Sequence, residues 1–281
     1  MIGVKLMGGL GNQMFQYALG RKMSVLHKTG LLLDLNGYNN QVDTDTKRHY
    51  ELDCFSIKAK LAKKPLLSKK KLLNFRNDFY FSNIYTEKQF PFCQEVLEQP
   101  DNTMFVGYWQ TAKYFDNIRD ILLKDFDINY ELLNNDALLS EIKNQPSVSL
   151  HVRRGDYVDN ENANKFHGLK GLEYYKTAVD ILKKQIPYFK LYIFSDDIKW
   201  CKTNLTSIYD NIYFVDGNMA GYLDMLLMKN CSHNIIANSS FSWWAAWLNQ
   251  NSNKIVIAPK AWFNDPKVDT KDIAPNSWIK I

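Results

Sequence analysis

The chain has 281 residues, 46% of them hydrophobic and 14% aromatic, with only thirteen glycines and eight prolines. That balance excludes disordered, collagen-like and loop-dominated scaffolds, which bury too little apolar surface to offset the entropy of ordering. The length suits about two domains at roughly 150 residues each, and the net charge of +5 fits an anionic ligand but is too small to imply nucleic acid.

Cys54, Cys93, Cys201 and Cys231 stand far apart with no C-x-x-C pair, so zinc-finger spacing is absent and a reducing compartment is expected. The first residues, Met1 to Gly9, lack the basic and apolar regions of a signal peptide. The longest apolar run, Trp243–Leu248, falls far short of the roughly 20 residues that span a bilayer. A cytoplasmic protein is expected.

In chain order, Ile2–Leu6 reads as a strand, Gly8-Gly-Leu-Gly11 as a turn, and the next residues as a helix. Phe15, Leu19 and Leu26 should share its buried face, with Met14, Ala18 and Val25 beside them. Leu31–Asp34 reads as a second strand, and strand–helix–strand order favours a parallel sheet. From Asn36 to Pro100 no period is readable. The lysine-rich run Lys63–Lys71 is taken as a solvated loop, with peripheral contact to acidic lipid headgroups as the sharper alternative.

After Pro146 the pattern turns regular, with strands at Ser147–Val152, Leu191–Phe194, Ile212–Val215, Ile235–Ala237 and Ile255–Ala258. Helices are expected around Tyr175–Ile186, Met219–Cys231 and Ser240–Asn249. Short buried strands alternating with helices describe a doubly wound α/β domain, whose ligands sit beyond the carboxyl ends of the strands. Domains 1–145 and 146–281 are therefore expected, with the last residues packing back on the first domain.

Four segments can carry chemistry. His151-Val-Arg-Arg-Gly-Asp156 follows a buried strand, and Arg153 and Arg154 offer rigid donors and permanent charge suited to a diphosphate. The bland reading is an ion pair between an arginine and Asp156. Ser239 and Ser240 stand where a helix begins, as caps or as anion donors, and Trp243, Trp244 and Trp247 read as packing residues. In Ser195-Asp-Asp197 the acids could bind a ribose or base, or Ser195 could cap a helix. Gly8–Gly11 with Asn12 and Gln13 permits close backbone approach and neutral donors, but is neither G-x-G-x-x-G nor a P-loop. No G-x-S-x-G or H-E-x-x-H occurs. The D-x-D triplets Asp43–Asp45 and Asp125–Asp127 are expected at the surface.

Together, Gly8–Ala18, His151–Tyr157, Asp224–Met228 and Ser232–Trp247 resemble the bacterial α-1,2-fucosyltransferases of glycosyltransferase family 11. The resemblance implies a GT-B architecture of two facing Rossmann-like domains, the second binding GDP-fucose. It also implies metal-independent, inverting transfer of L-fucose from GDP-β-L-fucose to the 2-hydroxyl of a galactose-terminated glycan, with no cofactor. Arg153 matches the arginine that binds the β-phosphate, with Arg154 supporting it. His151 matches a histidine on the guanine side, and Ser239-Ser-Phe241 a segment near phosphate and base. Asn12 matches an asparagine near the diphosphate and fucose, with Gly11 beside it expected at the donor, and Asp196 matches a residue that reaches the nucleoside. Asp156 is the first candidate for a general base, ahead of Glu173 and His167. A GT-B enzyme for another sugar nucleotide or acceptor, or a non-enzymatic polyanion-binding protein, are the alternatives.

Overall fold

Strand β1 (Ile2–Lys5), helix α1 (Leu10–Leu26) and strand β2 (Leu31–Asp34) form the expected strand–helix–strand unit, with β1 and β2 parallel and Ile2 opposite Leu31. In the computed structural model the described residues are 1–41, 47–62, 81–128, 136–155, 158, 168–216 and 220–281. They divide into two units: Met1–Asp127 with Lys271–Ile273, and Ile128–Thr270 with Ala274–Ile281.

The first unit adds β3 (Lys60–Ala62), β4 (Asn83–Thr86) and β5 (Thr103–Val106) to give a parallel sheet of order β3-β2-β1-β5-β4. Both β3 and β4 lie in the stretch where no period was readable. They are short edge strands with most side chains exposed or half-buried, so neither leaves an apolar run in the sequence. Helix α1 is covered almost all round from Leu10 to Ser24. Phe15 packs on Phe115 and Tyr17 on the edge of Phe126. Leu26, expected on the buried face, is 48% exposed, because that cover ends at Ser24.

Asp125 also departs from expectation. It lies buried in helix α2 (Arg119–Asp125), where its carboxylate accepts the Tyr17 hydroxyl at 2.7 Å and Arg21 Nε at 2.8 Å. The pairing offsets the cost of burying a charge. Asp43, Asp45 and the run Lys63–Lys71 lie outside the described residues.

In the second unit β6 (Ser147–Val152), β7 (Lys190–Ser195), β8 (Ile212–Phe214), β9 (His233–Ile235), β10 (Val256–Ala258) and β11 (Ile279–Lys280) form a parallel sheet of order β11-β10-β9-β6-β7-β8. Among the described residues its helices are α3 (Asp136–Asn144), α4 (Leu172–Lys183), α5 (Ile198–Asn204), α6 (Gly221–Asn230) and α7 (Ser240–Leu248). Val148, Leu150, Leu191, Ile193 and Ile235 pack with Tyr175, Val179 and Leu182 of α4 in one core. The unit starts ahead of Pro146 because α3 packs against α6 and Ser147 Oγ donates to the Ile142 carbonyl at 2.8 Å. No helix among the described residues is long and apolar enough to cross a membrane.

Candidate active site

Strands β6 and β7 run parallel with Val152 opposite Ser195, so the residues that follow them emerge side by side. Two arginines thereby meet two aspartates. Arg153 Nη1 lies 2.7 Å from Asp196 Oδ2, and the Arg154 backbone N–H donates to Asp196 Oδ1 at 2.8 Å. Arg154 Nε donates to Asp197 Oδ2 at 3.2 Å, and its guanidinium sits 4.1 Å from the centre of the Trp200 ring, a cation–π arrangement. A Cβ at Gly155 would lie 2.7 Å from Asp196 Oδ2, so the Asp196 carboxylate fills the space of a side chain there. The helix-capping role expected of Ser195 belongs to Asp197, whose Oδ1 accepts the Trp200 N–H at 3.0 Å. Ser195 Oγ accepts the Asp197 N–H instead. Asp156 and His167 lie outside the described residues.

His151, near the end of β6, is buried, and its ring packs 5.5 Å from that of Phe241 in α7. Burial pushes the imidazole down to about 4, with Asp196 opposing and Arg153 reinforcing the shift. The ring is therefore neutral at pH 7, and its Nδ1 has no hydrogen-bond partner. Phe241 belongs to the first turn of α7, which is capped at Ser239 without a side-chain cap bond. The first closing bond runs from the Trp243 N–H to the Ser239 carbonyl. The amides of Ser240, Phe241 and Ser242 precede it, and such leading N–H groups with the helix dipole favour an anion. Asn238 anchors the loop by donating to the Gly168 and Trp262 carbonyls, both at 3.1 Å. Trp243, Trp244 and Trp247 are buried packing residues, as read from the sequence.

One residue of this site was given no role from the sequence. A Cβ at Gly221, the first residue of α6, would lie 3.8 Å from the Phe241 ring. Asp224 is one turn further on, on the same helix face. Its Oδ1 is buried without a partner, and burial raises the carboxyl to about 7. The available signal was a lone acid in the apolar run Leu223-Asp-Met-Leu-Leu.

In the first unit, Gly8 adopts φ +77°, a left-handed turn that glycine enters without strain. Gln13, read as a possible ligand donor, is fully buried and holds the loop instead. It donates to the Gly8 and His49 carbonyls and accepts the Glu51 N–H. Asn12 is half-buried, and its Oδ1 accepts Gln110 Nε2 at 2.7 Å. Gly11 lies beside it in the first turn of α1.

The second unit thus brings together His151, Arg153, Arg154, Asp196 and the start of α7 with Ser239, Ser240 and Phe241. Gly11 and Asn12 belong to the first unit. A model of glycosyl transferase family 11 matches residues 1–281. The chain belongs to this family. This family 11 glycosyltransferase is 36% identical over 295 residues to the alpha-1,2-colitosyltransferase of Escherichia coli, covering all of this chain and 99% of that protein. It is 35% identical to the O-antigen biosynthesis glycosyltransferase WbnK of Escherichia coli, covering 98% of this chain and 99% of that one. Among solved structures it is similar in fold to POFUT1 in complex with GDP-fucose, with TM-score 0.53 and 11% identity over 90% of this chain and 95% of that one. The fold is GT-B, each unit a Rossmann-like parallel α/β layer. Membership in an enzyme family sets aside the polyanion-binding alternative.

Proposed function

We propose that this family 11 enzyme transfers L-fucose from GDP-β-L-fucose to the 2-hydroxyl of a galactose in an O-antigen-type glycan, inverting the anomeric centre. The observation that carries the reading is the strand-end cluster of the second unit. There Arg153 is braced by Asp196, close to a neutral His151 with an unfilled ring nitrogen. The unfilled Asp224 oxygen suits the N1–H and 2-amino donors of guanine.

The chemistry follows from charge. Departure of GDP builds negative charge on the diphosphate, and fixed cations and oriented N–H groups stabilise it without reorganising. Arg153 is the phosphate cation in this reading. Arg154, stacked on Trp200 and tied to Asp197, is its strut, and Asp196 is the counter-ion that aims Arg153. The leading amides of α7 with Ser239 and Ser240 add neutral donors. Gly11 and Asn12 are donor contacts in this reading, and Asp156 is the general base for the acceptor hydroxyl. No metal is required, because cation and amides do the work of a bound Mg²⁺. Asp125 of the one described D-x-D triplet is committed to Tyr17 and Arg21.

The similarity to a colitosyltransferase favours a second reading of the same site, with colitose, the 3-deoxy analogue of fucose, as the sugar. Incubation with GDP-fucose and lactose followed by linkage analysis decides between them. An α-1,2-fucosylated product is expected. Absence of transfer from GDP-fucose alongside transfer from GDP-colitose would replace the first reading with the second.

A further inference from the structure

We propose that Gln110 is a positioning residue that fixes the side-chain amide of Asn12, through a turn clamped by Glu87. The inference rests on the assignment of Asn12 to the donor made above. A primary amide can present either its N–H or its carbonyl face, and an anionic leaving group needs the N–H face. Gln110 Nε2 donates to Asn12 Oδ1 at 2.7 Å, which occupies the carbonyl and leaves Nδ2 as the face for a ligand. A Cβ at Gly8 would lie 2.5 Å from Asn12 Nδ2, so the amide rests in space that only glycine leaves open.

The segment carrying Gln110 is built to hold it. Trp109 adopts φ +59°, a region that bulky residues rarely enter. Glu87 supports that conformation from β4's end, its Oε2 accepting the Tyr108 N–H at 2.7 Å and its Oε1 the Trp109 N–H at 3.0 Å. The Trp109 carbonyl accepts the Thr111 N–H at 2.8 Å, and the buried indole meets Phe105 and Tyr114 edge-on. Gln16 Nε2 donates to the Gly107 carbonyl from α1. Burial raises the Glu87 carboxyl, and its two backbone N–H bonds oppose the rise. A strained residue held on several sides is where a fold keeps a demanding geometry. Here the geometry delivered is the Gln110 side chain at Asn12.

The test compares Gln110→Ala, Gln110→Glu, Asn12→Ala and the double variant Asn12→Ala/Gln110→Ala. Glutamate matches glutamine in size but at neutral pH only accepts, so it would turn the Asn12 amide over. With GDP-fucose and lactose, Gln110→Ala and Gln110→Glu should each lower kcat by about a hundredfold. The donor KM should stay within about threefold, with little change in melting temperature. The double variant should be no slower than Asn12→Ala alone, the signature of residues acting as a unit. Wild-type kcat in Gln110→Glu, or losses that multiply in the double variant, would overturn the inference. If the wild-type enzyme does not use GDP-fucose, the functional reading fails by itself, and the inference is read from ¹H–¹⁵N spectra. The side-chain amide pair absent from Asn12→Asp should shift in Gln110→Ala, and an unmoved pair would overturn it.

Discussion

Arg153 and Asp196 form a 2.7 Å ion pair in which each side chain is about a quarter exposed. One partner of such a pair can face a ligand while the other fixes its direction, because a guanidinium carries five donors in a rigid fork. Arg153→Ala should cost about 2–5 kcal/mol in kcat/KM, the range for a desolvated charged contact. Asp196→Asn should give a smaller loss, since the cation remains but is less firmly aimed. Steady-state kinetics with both variants checks the order, and near-normal turnover in Arg153→Ala would remove the assigned role.

Asp224 should oppose stability and support binding. Its folded value of about 7 lies above the ordinary 3.8, so the folded state favours the protonated acid. The carboxyl is harmless below about pH 4, and its cost grows as pH rises toward 7 and is complete above it. Asp224→Asn should therefore melt higher than wild type at pH 8 and match it near pH 4, while binding GDP more weakly. Thermal scans at the two pH values and GDP titration calorimetry test both halves.

His151 has the opposite linkage. Its folded value of about 4 lies below the ordinary 6.5, so the stability it contributes is present above about pH 6.5 and is lost as pH falls toward 4. A His151→Phe variant should show a flatter decline across that window in urea unfolding. Parallel declines in both proteins would assign the acid sensitivity elsewhere.

Asp156 is tested by separating chemistry from binding. As general base, Asp156→Asn should lower kcat much more than GDP affinity, and equal losses would make it a binding or structural residue.

Chelation addresses the metal. Transfer should be unchanged in excess EDTA, and a strict dependence on added Mg²⁺ would require acidic ligands that the proposed mechanism does not use.

Much of the second unit was legible because its central strands are buried on both faces and leave apolar runs such as Leu191–Phe194. The first sheet was mostly hidden, since β3 and β4 are edge strands with little to bury, and β5, though buried and interior, is only four residues long and carries no readable period. Within the site, the sequence pointed to the arginines and to the start of α7 but not to the partners of the arginines. Asp196 and Asp197 meet them only because β6 and β7 are neighbours in register, a pairing that no local pattern encodes. Asp224 was visible as an acid among apolar residues, yet its unpartnered oxygen is a fact of packing. Gln13 and Asn12 are adjacent amides with opposite fates, one turned inward to hold a loop and the other left half-open.

The three residues Lys271–Ile273 group with the first unit although the chain on either side belongs to the second. Asp272 accepts the Phe92 N–H at 3.0 Å and pairs with Lys113. Only afterwards does the chain lay β11 against β10. Neither unit is thus a contiguous stretch of the gene. A fragment ending at Asp127 would lack the Asp272 anchor, and one ending before Lys271 would lack the last strand of its own sheet. Exchange of one unit between relatives by a single crossover would mismatch that anchor and its socket, so a chimera that keeps the pair together needs the short C-terminal insert swapped with the N-terminal piece.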